Sequence, residues 1–323
     1  MKLTKRQFLA AGLGCLAAPR IATAQSFPSK TITIVVPYAP GGTTDILARI
    51  VGQELSTRLG TTVVENKTGG AGVVGWNYVA KGQPPDGHTL LTTEMSLSIA
   101  ASLNPNLPFD PQKDFNQIVT AASVPHVLVV NPQVPAKTLQ EFVAHTRANP
   151  GKLFYGSGGI GTNTHLGFEL LKSQTGIDVG HVPYRGAGAV VKDVVAGHVQ
   201  ALVGAVPTVL EFVRSGQLRP LMLTAPERSK VLPDVPSAKD VGLPQMDVSF
   251  WVGFSVPTAT PAPIVERLHG ALLDSVKAPA VSTKFAELGF DPVGNSNAAA
   301  NEFMRSEIDR WAAVIKSANI KAN

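Results

Sequence analysis

The chain has 323 residues, of which 44% are hydrophobic and 16% charged. That favours two globular domains of ordinary size and excludes a disordered or low-complexity protein. The formal charge of +5 comes from 28 basic and 23 acidic residues. Four of the basic ones (Lys2, Lys5, Arg6, Arg20) lie in residues 1–24, so the remainder carries 24 against 23 and is nearly neutral. Such a balance excludes nucleic acid and anionic membrane surfaces as partners on charge grounds.

Residues 1–24 read as an export signal. Lys2, Lys5 and Arg6 form a positive start, Phe8–Ala18 is a short apolar run, and Ala22-Thr23-Ala24 offers a small-x-small cleavage site before Gln25. Thr4-Lys5-Arg6-Gln7-Phe8-Leu9 is similar to a twin-arginine signal with Lys in the first position, which leaves Sec and Tat export both open. Cys15 is the only cysteine and lies within this segment, so the exported chain has no disulfide or thiol chemistry. Gly12 and the short apolar run before Cys15 argue against a lipoprotein. No later stretch of 18 apolar residues occurs, so no membrane span is expected.

Thr31–Val36 is β-branched and alternating, which predicts a strand. Pro37-Tyr38-Ala39-Pro40-Gly41-Gly42-Thr43-Thr44-Asp45 is a sharp loop. Ile46, Leu47, Ile50, Val51 and Leu55 follow at helical spacing, with Thr43 or Thr44 suited to the N-cap and Asp45 to the first turn. A strand, a glycine turn and a helix N-terminus together can make an anion site, because free backbone N–H groups and the positive end of the helix dipole meet there. Gly42 is expected to let a ligand approach the backbone and to favour an unusual φ. A tight turn without a ligand explains the same residues.

Thr61–Val64 reads as a second strand, followed by a glycine-rich turn over 65–72 and a helix that stops at Gly82. Pro84-Pro85-Asp86-Gly87 is a turn and His88–Thr93 a third strand. Ser96 falls just past its end, where open α/β sheets bind ligands. Residues 104–116 read as loop. The apolar run from Ile118 to Val130 is broken near Ser123–His126, which marks an interdomain crossing. Thr138–Ala148 is a helix with Thr138 and Glu141 as a capping box. Leu153–Tyr155 is a short strand leading to Gly156-Ser157-Gly158-Gly159-Ile160-Gly161-Thr162-Asn163-Thr164 and a helix carrying His165. Val179–Val182 is a strand ending in Pro183-Tyr184-Arg185-Gly186, with a helix over 187–196 closed by Gly197. Ala201–Val203 is a strand that runs toward Ala205, Pro207 opens a helix, and Leu221–Thr224 is a strand. The run from Val248 to Val256 marks the return crossing, and Pro261–Val276 and Glu302–Ser317 are helices. Alternating strands and helices predict an α/β protein with largely parallel sheets. Two crossings predict a second lobe, 126–248, inserted in a first lobe made of 25–125 and 249–323.

Gly156-x-Gly158-x-x-Gly161 matches a dinucleotide fingerprint, and Arg185 at the end of the next strand could meet a 2′-phosphate. That would make an exported NADP-dependent oxidoreductase. A plain glycine turn or a carboxylate-binding turn fits as well, and export away from nicotinamide pools disfavours the nucleotide. Ser157 lacks the glycine two residues earlier that a nucleophile elbow needs, since Tyr155 stands there. The seven histidines show no metal-ligand spacing. His165 suits either a bond to its own loop or a ligand contact, and Arg185 either the rim or the cleft.

Pro37-Tyr38-x-x-Gly41-Gly42-x-x-Asp45-x-x-Ala48-Arg49 resembles the opening motif of the tripartite tricarboxylate transporter receptors, the Bug-type solute receptors. Val64-Glu65-Asn66-Lys67-x-Gly69-x-x-Gly72, Pro84-x-Asp86-Gly87-x-Thr89-Leu90 and Tyr155-Gly156-Ser157-Gly158-Gly159-x-Gly161-x-x-x-His165-Leu166 follow in the family's order. Val182-Pro183-Tyr184-Arg185-Gly186, Leu232-Pro233-Asp234-Val235-Pro236 and Gly242-Leu243-Pro244 complete the likeness over the whole mature chain. Lysine is common where Arg185 stands.

The resemblance implies a hinged, two-lobe type II periplasmic-binding fold in the periplasm. It implies a small carboxylated ligand held by backbone amides and bridging waters in the 37–45 loop, with no cofactor and no catalysis. It also implies a monomer that delivers the acid to a permease of one large and one small membrane subunit. The expected ligand-binding residues are Tyr38, Gly41, Gly42, Thr43, Asp45, Ser96, Ser157, Gly158, Gly161, Thr162, Thr164, His165, Tyr184, Arg185 and Ala205. A periplasmic sensor serving a signalling partner is the remaining alternative.

Overall fold

The computed structural model describes residues 27–317 and Ile320. The expected signal peptide and its cleavage site lie outside the described residues. Strand β1 (Ile32–Val36) lies in parallel between β2 (Thr62–Asn66) and β3 (Thr89–Glu94). Helix α1 (Thr43–Leu59) buries Leu47, Ala48, Val51 and Leu55, as the helical spacing requires. Helix α2 (Val73–Gly82) connects β2 to β3, and α3 (Met95–Leu103) starts directly after β3 and occupies a stretch with no helix expected.

Strand β4 (Phe115–Val130) is 16 residues long and continuous. The break expected near Ser123–His126 is instead a change of partner. Residues 115–125 pair antiparallel with β9 (Ser249–Pro257), while His126–Val130 pair with β7 (Ala201–Ala205). Pro125 is the last residue of the first pairing, a place where its missing N–H is tolerated. The second lobe adds α4 (Leu139–Ala148), β5 (Phe154–Ser157), α5 (Asn163–Thr175), β6 (Gly180–Pro183), α6 (Ala187–Ala196), α7 (Val206–Arg214) and β8 (Arg219–Leu223). Its expected capping box is half formed: the Glu141 N–H donates to Thr138 Oγ1, while the Glu141 carboxylate accepts from the Lys137 N–H. After β9 come α8 (Ala262–Lys277), the unforeseen α9 (Pro279–Leu288), β10 (Asp291–Pro292) and α10 (Asn297–Ser317).

The strands run in the order β2-β1-β3-β9-β4-β7-β5-β6, with β8 and β10 also paired to β4. Each lobe is therefore a small parallel sheet, but the two are joined by antiparallel strands, which corrects the expectation of largely parallel sheets. The reason is the insertion. A strand returning from the second lobe enters the first from the opposite end to β1 and β3. The result is a two-lobe α/β fold with the second lobe inserted in the first.

Where β4 and β9 lie together they are packed to the backbone. A Cβ built on Gly253 would sit 2.6 Å from the Val119 carbonyl oxygen. Gly253→Ala should push the two strands apart and lower the unfolding free energy by about 1–3 kcal/mol, measured by urea denaturation.

Candidate functional site

The loop between β1 and α1 is held by one carboxylate. Asp45 Oδ2 accepts from the Gly41 N–H at 3.0 Å and from Arg49 Nε at 3.0 Å. Its Oδ1 accepts from Arg49 Nη2 and from Asn66 Nδ2, each at 2.9 Å. Asn66 Nδ2 also donates to the Tyr38 carbonyl at 2.9 Å. Burial raises the Asp45 pKa, but the hydrogen bonds from Arg49, Gly41 and Asn66 outweigh it and hold the carboxyl below its usual range. Asp45 thus faces the site with its carboxylate already saturated by protein donors.

Gly41, with φ +87°, is the residue here that needs glycine; Gly42 has an ordinary φ of −81°. Gly42 is the N-cap, so the helix begins at Thr43, one or two residues earlier than a Thr43 or Thr44 cap would place it. Having no side chain, Gly42 leaves the first N–H groups of α1 without a side-chain cap.

Three second-lobe helices start in the same way. Thr162, Gly186 and Ala205 are the N-caps of α5, α6 and α7, and none gives a side-chain cap bond. The Thr162 hydroxyl is turned into its own loop, donating to the Gly159 carbonyl at 2.7 Å, and Thr164 Oγ1 accepts from the Gly158 N–H at 2.8 Å. All four helix starts open on one cleft between the lobes. The first lobe contributes Tyr38, Gly42, Thr43, Thr44 and Asp45 to its wall. The second contributes Gly158, Thr162, Asn163, Thr164, Gly186, Ala187, Ala205 and Thr208, and β9 adds Phe250. No lysine or arginine is among them. The space left in this closed arrangement is about 40 Å³, room for little more than water.

The lobes touch around this cleft. Thr43 Oγ1 lies 2.6 Å from Thr208 Oγ1. Ser96 Oγ accepts from the Asn163 N–H at 3.0 Å. A Cβ on Gly188, in the first turn of α6, would fall 2.8 Å from the Pro40 carbonyl oxygen. This is a closed arrangement.

Eight of the expected residues line the cleft: Tyr38, Gly42, Thr43, Asp45, Gly158, Thr162, Thr164 and Ala205. Gly41 adjoins it, and Ser96 is fully buried behind it against Glu94 and Asn163. The others are not brought to its wall. Ser157 is fully buried, with its Oγ 2.6 Å from His181 Nε2. His165 Nδ1 accepts from the Gly161 N–H at 3.2 Å, and the His165 ring stacks on His181 at 4.3 Å. Burial and the neighbouring His165 push the His181 pKa down to about 4. Tyr184 donates to Asp193 at 2.7 Å, and Arg185 is exposed.

Thr44, Asn163, Gly186, Ala187, Thr208 and Phe250 were not foreseen. Glycine before the 187–196 helix and Pro207 at the start of the next were the available signals, since both mark helix N-termini.

The glycines of the dinucleotide fingerprint serve packing. A Cβ on Gly156 would lie 2.4 Å from Val190 Cγ1, and one on Gly158 would lie 3.1 Å from the Ala187 nitrogen. They let α6 close on β5. Among the described residues no group of three His, Cys, Asp or Glu is placed to hold a metal ion, and no helix is long and apolar enough to cross a membrane.

Residues 47–320 match the model of the tripartite tricarboxylate transporter family receptor. Protein BugT of Bordetella pertussis is 34% identical over 309 residues, covering 95% of this chain and 94% of its own. Among solved structures, an R. palustris protein with adipate has a TM-score of 0.88 at 31% identity, over 91% of this chain and 99% of its own. MatC from Rhodopseudomonas palustris with bound malate has a TM-score of 0.85 at 32% identity, over 90% of this chain and all of its own. With the two-lobe fold and the cleft of open helix starts, these likenesses mean that the chain belongs to the tripartite tricarboxylate transporter receptor family, the Bug-type periplasmic solute-binding proteins.

Proposed function

We propose that this receptor captures a small organic acid in the cleft between its lobes, performs no chemistry on it, and hands it to a membrane permease of one large and one small subunit. The observation that carries this reading is the convergence of four helix N-termini without side-chain caps on a cleft wall that contains no cationic side chain. Each helix start offers unfilled N–H donors and a dipole of about half a positive charge. Together they suit carboxylates, which accept such hydrogen bonds strongly. Both lobes contribute to the cleft wall, which matches a ligand with a carboxylate at each end, the class represented by malate and adipate in the related structures. The ligand-contacting set is the cleft wall, with Gly41 and the buried Ser96 in support; Ser157, Gly161, His165, Tyr184 and Arg185 fall outside it. The lobes divide at 125/126 and 248/249, the protein acts as a monomer, and the signal over 1–24 brings it to the periplasm by Sec or Tat.

Titration calorimetry of the mature protein against dicarboxylates, tricarboxylates, aromatic acids and acidic amino acids tests the reading, together with mass spectrometry of acid released from freshly purified protein. Saturable binding of a carboxylate is expected. Binding of a nicotinamide nucleotide and of no acid would overturn it.

Two variants test the geometry. Around Gly42 the nearest atom to an added Cβ is the Ala39 carbonyl oxygen at 4.0 Å, and the φ suits any residue. Gly42→Val should therefore fold normally, fill ligand space and abolish calorimetric binding. In Gly188→Ala the new methyl meets the Pro40 carbonyl only when the lobes are closed. Its melting temperature without ligand should match wild type, while the affinity falls about 5–150-fold, equivalent to about 1–3 kcal/mol against closure.

A further inference from the structure

Behind the cleft wall lies a polar chain that runs from the first lobe, through the second, to the hinge. Glu94 is fully buried at the end of β3. Its Oε1 accepts from the Tyr38 hydroxyl, and its Oε2 from the Ser96 N–H at 2.7 Å, Ser96 Oγ at 3.0 Å and Asn163 Nδ2 at 3.1 Å. Asn163 begins α5 in the second lobe and reaches Glu94 only because the lobes are closed. Its Oδ1 lies 3.0 Å from His126 Nε2. His126, also fully buried, sits where β4 changes partners, and its Nδ1 lies 3.1 Å from the Val248 carbonyl oxygen.

Both ring nitrogens of His126 thus face oxygen acceptors, although a neutral imidazole has only one N–H. The Val248 carbonyl can only accept, so Nδ1 carries a proton. Two proton arrangements then satisfy the chain. In one, Nε2 is also protonated and donates to Asn163 Oδ1, and the Asn163 amide donates to a Glu94 carboxylate. In the other, the Asn163 amide is turned over, its Nδ2 donates to Nε2, and its Oδ1 accepts from a protonated Glu94. The two hold the same number of protons and differ in where one of them sits and in which way the Asn163 amide is turned. Each holds one proton more than a Glu94 carboxylate with a neutral His126, the pair expected at neutral pH when both are in water. Without that proton two acceptors face each other in a buried site: His126 Nε2 and Asn163 Oδ1, or, with the amide turned and the Ser96 hydroxyl 3.2 Å away as its one donor, Asn163 Oδ1 and Glu94 Oε2.

We propose that closure builds a buried proton site shared by Glu94 and His126, so that the receptor takes up one proton with each acid it captures. This rests on the reading of the cleft as an acid site closed by lobe motion. The surroundings are otherwise neutral. Tyr38 from the β1–α1 loop and Ser96 from α3 face Glu94, while Phe250 from β9, in edge contact at 5.5 Å, and Thr224 after β8 face the His126 region. Tyr38 is itself held protonated, since burial and then the adjoining Glu94 push its pKa far up. Among the described residues no lysine, arginine or second acid hydrogen-bonds to Glu94 or His126. Burial raises the Glu94 pKa against the hydrogen bonds from Ser96, Tyr38 and Asn163, and lowers that of His126, which favours the arrangement with the proton on Glu94.

The sign follows from linkage. The closed state binds more protons than the open one, so affinity rises as pH falls, by about tenfold per pH unit for one proton while closed Glu94 stays protonated and the open form does not. Calorimetry with malate and adipate between pH 6.5 and 8.5, where both acids are ionised, should show affinity weakening with pH. Runs at pH 7.5 in phosphate and in Tris should differ in heat by the uptake of about one proton. Glu94→Gln, neutral at every pH, should bind with a flat pH profile and no proton uptake. Binding by wild type with a flat profile and equal heats would overturn the proposal. Heat from neither acid would count against those acids as ligands, and a second measurement then decides the proton site without ligand. The Thr43→Cys/Thr208→Cys double variant, oxidised, joins the lobes where their hydroxyls now meet. At pH 7.5 it should show either an infrared carboxylic-acid band that disappears on adding Glu94→Gln, or a doubly protonated His126 by nitrogen NMR. Finding neither would overturn the proposal.

Discussion

The first N–H groups of a helix have no partner inside the helix, and a buried helix start must find one elsewhere. In this receptor α1, α5, α6 and α7 all begin without a side-chain cap, and all four begin at the same cleft. A missing side-chain cap is not confined to these four, since α2, α8 and α9 also begin without one; what sets the four apart is the cleft they share. Thr138 caps α4, and the Glu94 side chain caps α3 through the Ser96 N–H. Leaving the four cleft helices open keeps donors free for an oxygen-rich guest. It also explains the absence of lysine and arginine from the wall, because fixed dipoles supply the positive potential without a flexible cation to order.

Donors of this kind are useful only if the loops that carry them are rigid. Asp45 supplies the rigidity on the first lobe by joining Gly41, Arg49 and Asn66 around one carboxylate. On the second lobe the Thr162 and Thr164 hydroxyls turn inward and tie the 158–162 backbone. These side chains are part of the site through the shape they impose. Glycines complete the seam. Gly159 and Gly188 bring second-lobe backbone close to Ala71 and Pro40, so closure is a fit of backbone to backbone.

Where β4 passes from β9 to β7, a buried histidine meets the polar chain from Glu94. The cleft wall, the contact between the lobes and the strand crossover are therefore joined by hydrogen bonds through Asn163, whose backbone N–H and side chain both engage the first lobe. A residue at a helix N-terminus can serve all three because its backbone donor is still free.

Local features were legible along the chain. β-Branched alternation gave β1, helical spacing gave α1, and glycines and prolines marked the turns between them; these are short-range effects of backbone sterics and side-chain burial. Two crossings, read from apolar runs at 118–130 and 248–256, were enough to expect an inserted second lobe. The sequence could not show that β4 continues through Pro125, since a partner change looks like a break when only one strand is visible. It marked Asp45 as a helix-start residue and as a ligand contact, but not as the tie of its loop, because Asn66 lies 21 positions away. It drew attention to Ser157, His165 and Arg185 for their chemistry, whereas packing sealed the first in the lobe, bound the second to its own loop and left the third in solvent. Thr208, Phe250 and the Glu94–Asn163–His126 chain emerged only in three dimensions. Most elements and their order, though not α3 or α9, could be read from the chain alone, because those follow from neighbours a few residues apart. Which helix starts share a cleft, and which buried groups share a proton, was decided by tertiary structure, because both depend on atoms that only the closing of two lobes brings within hydrogen-bond distance.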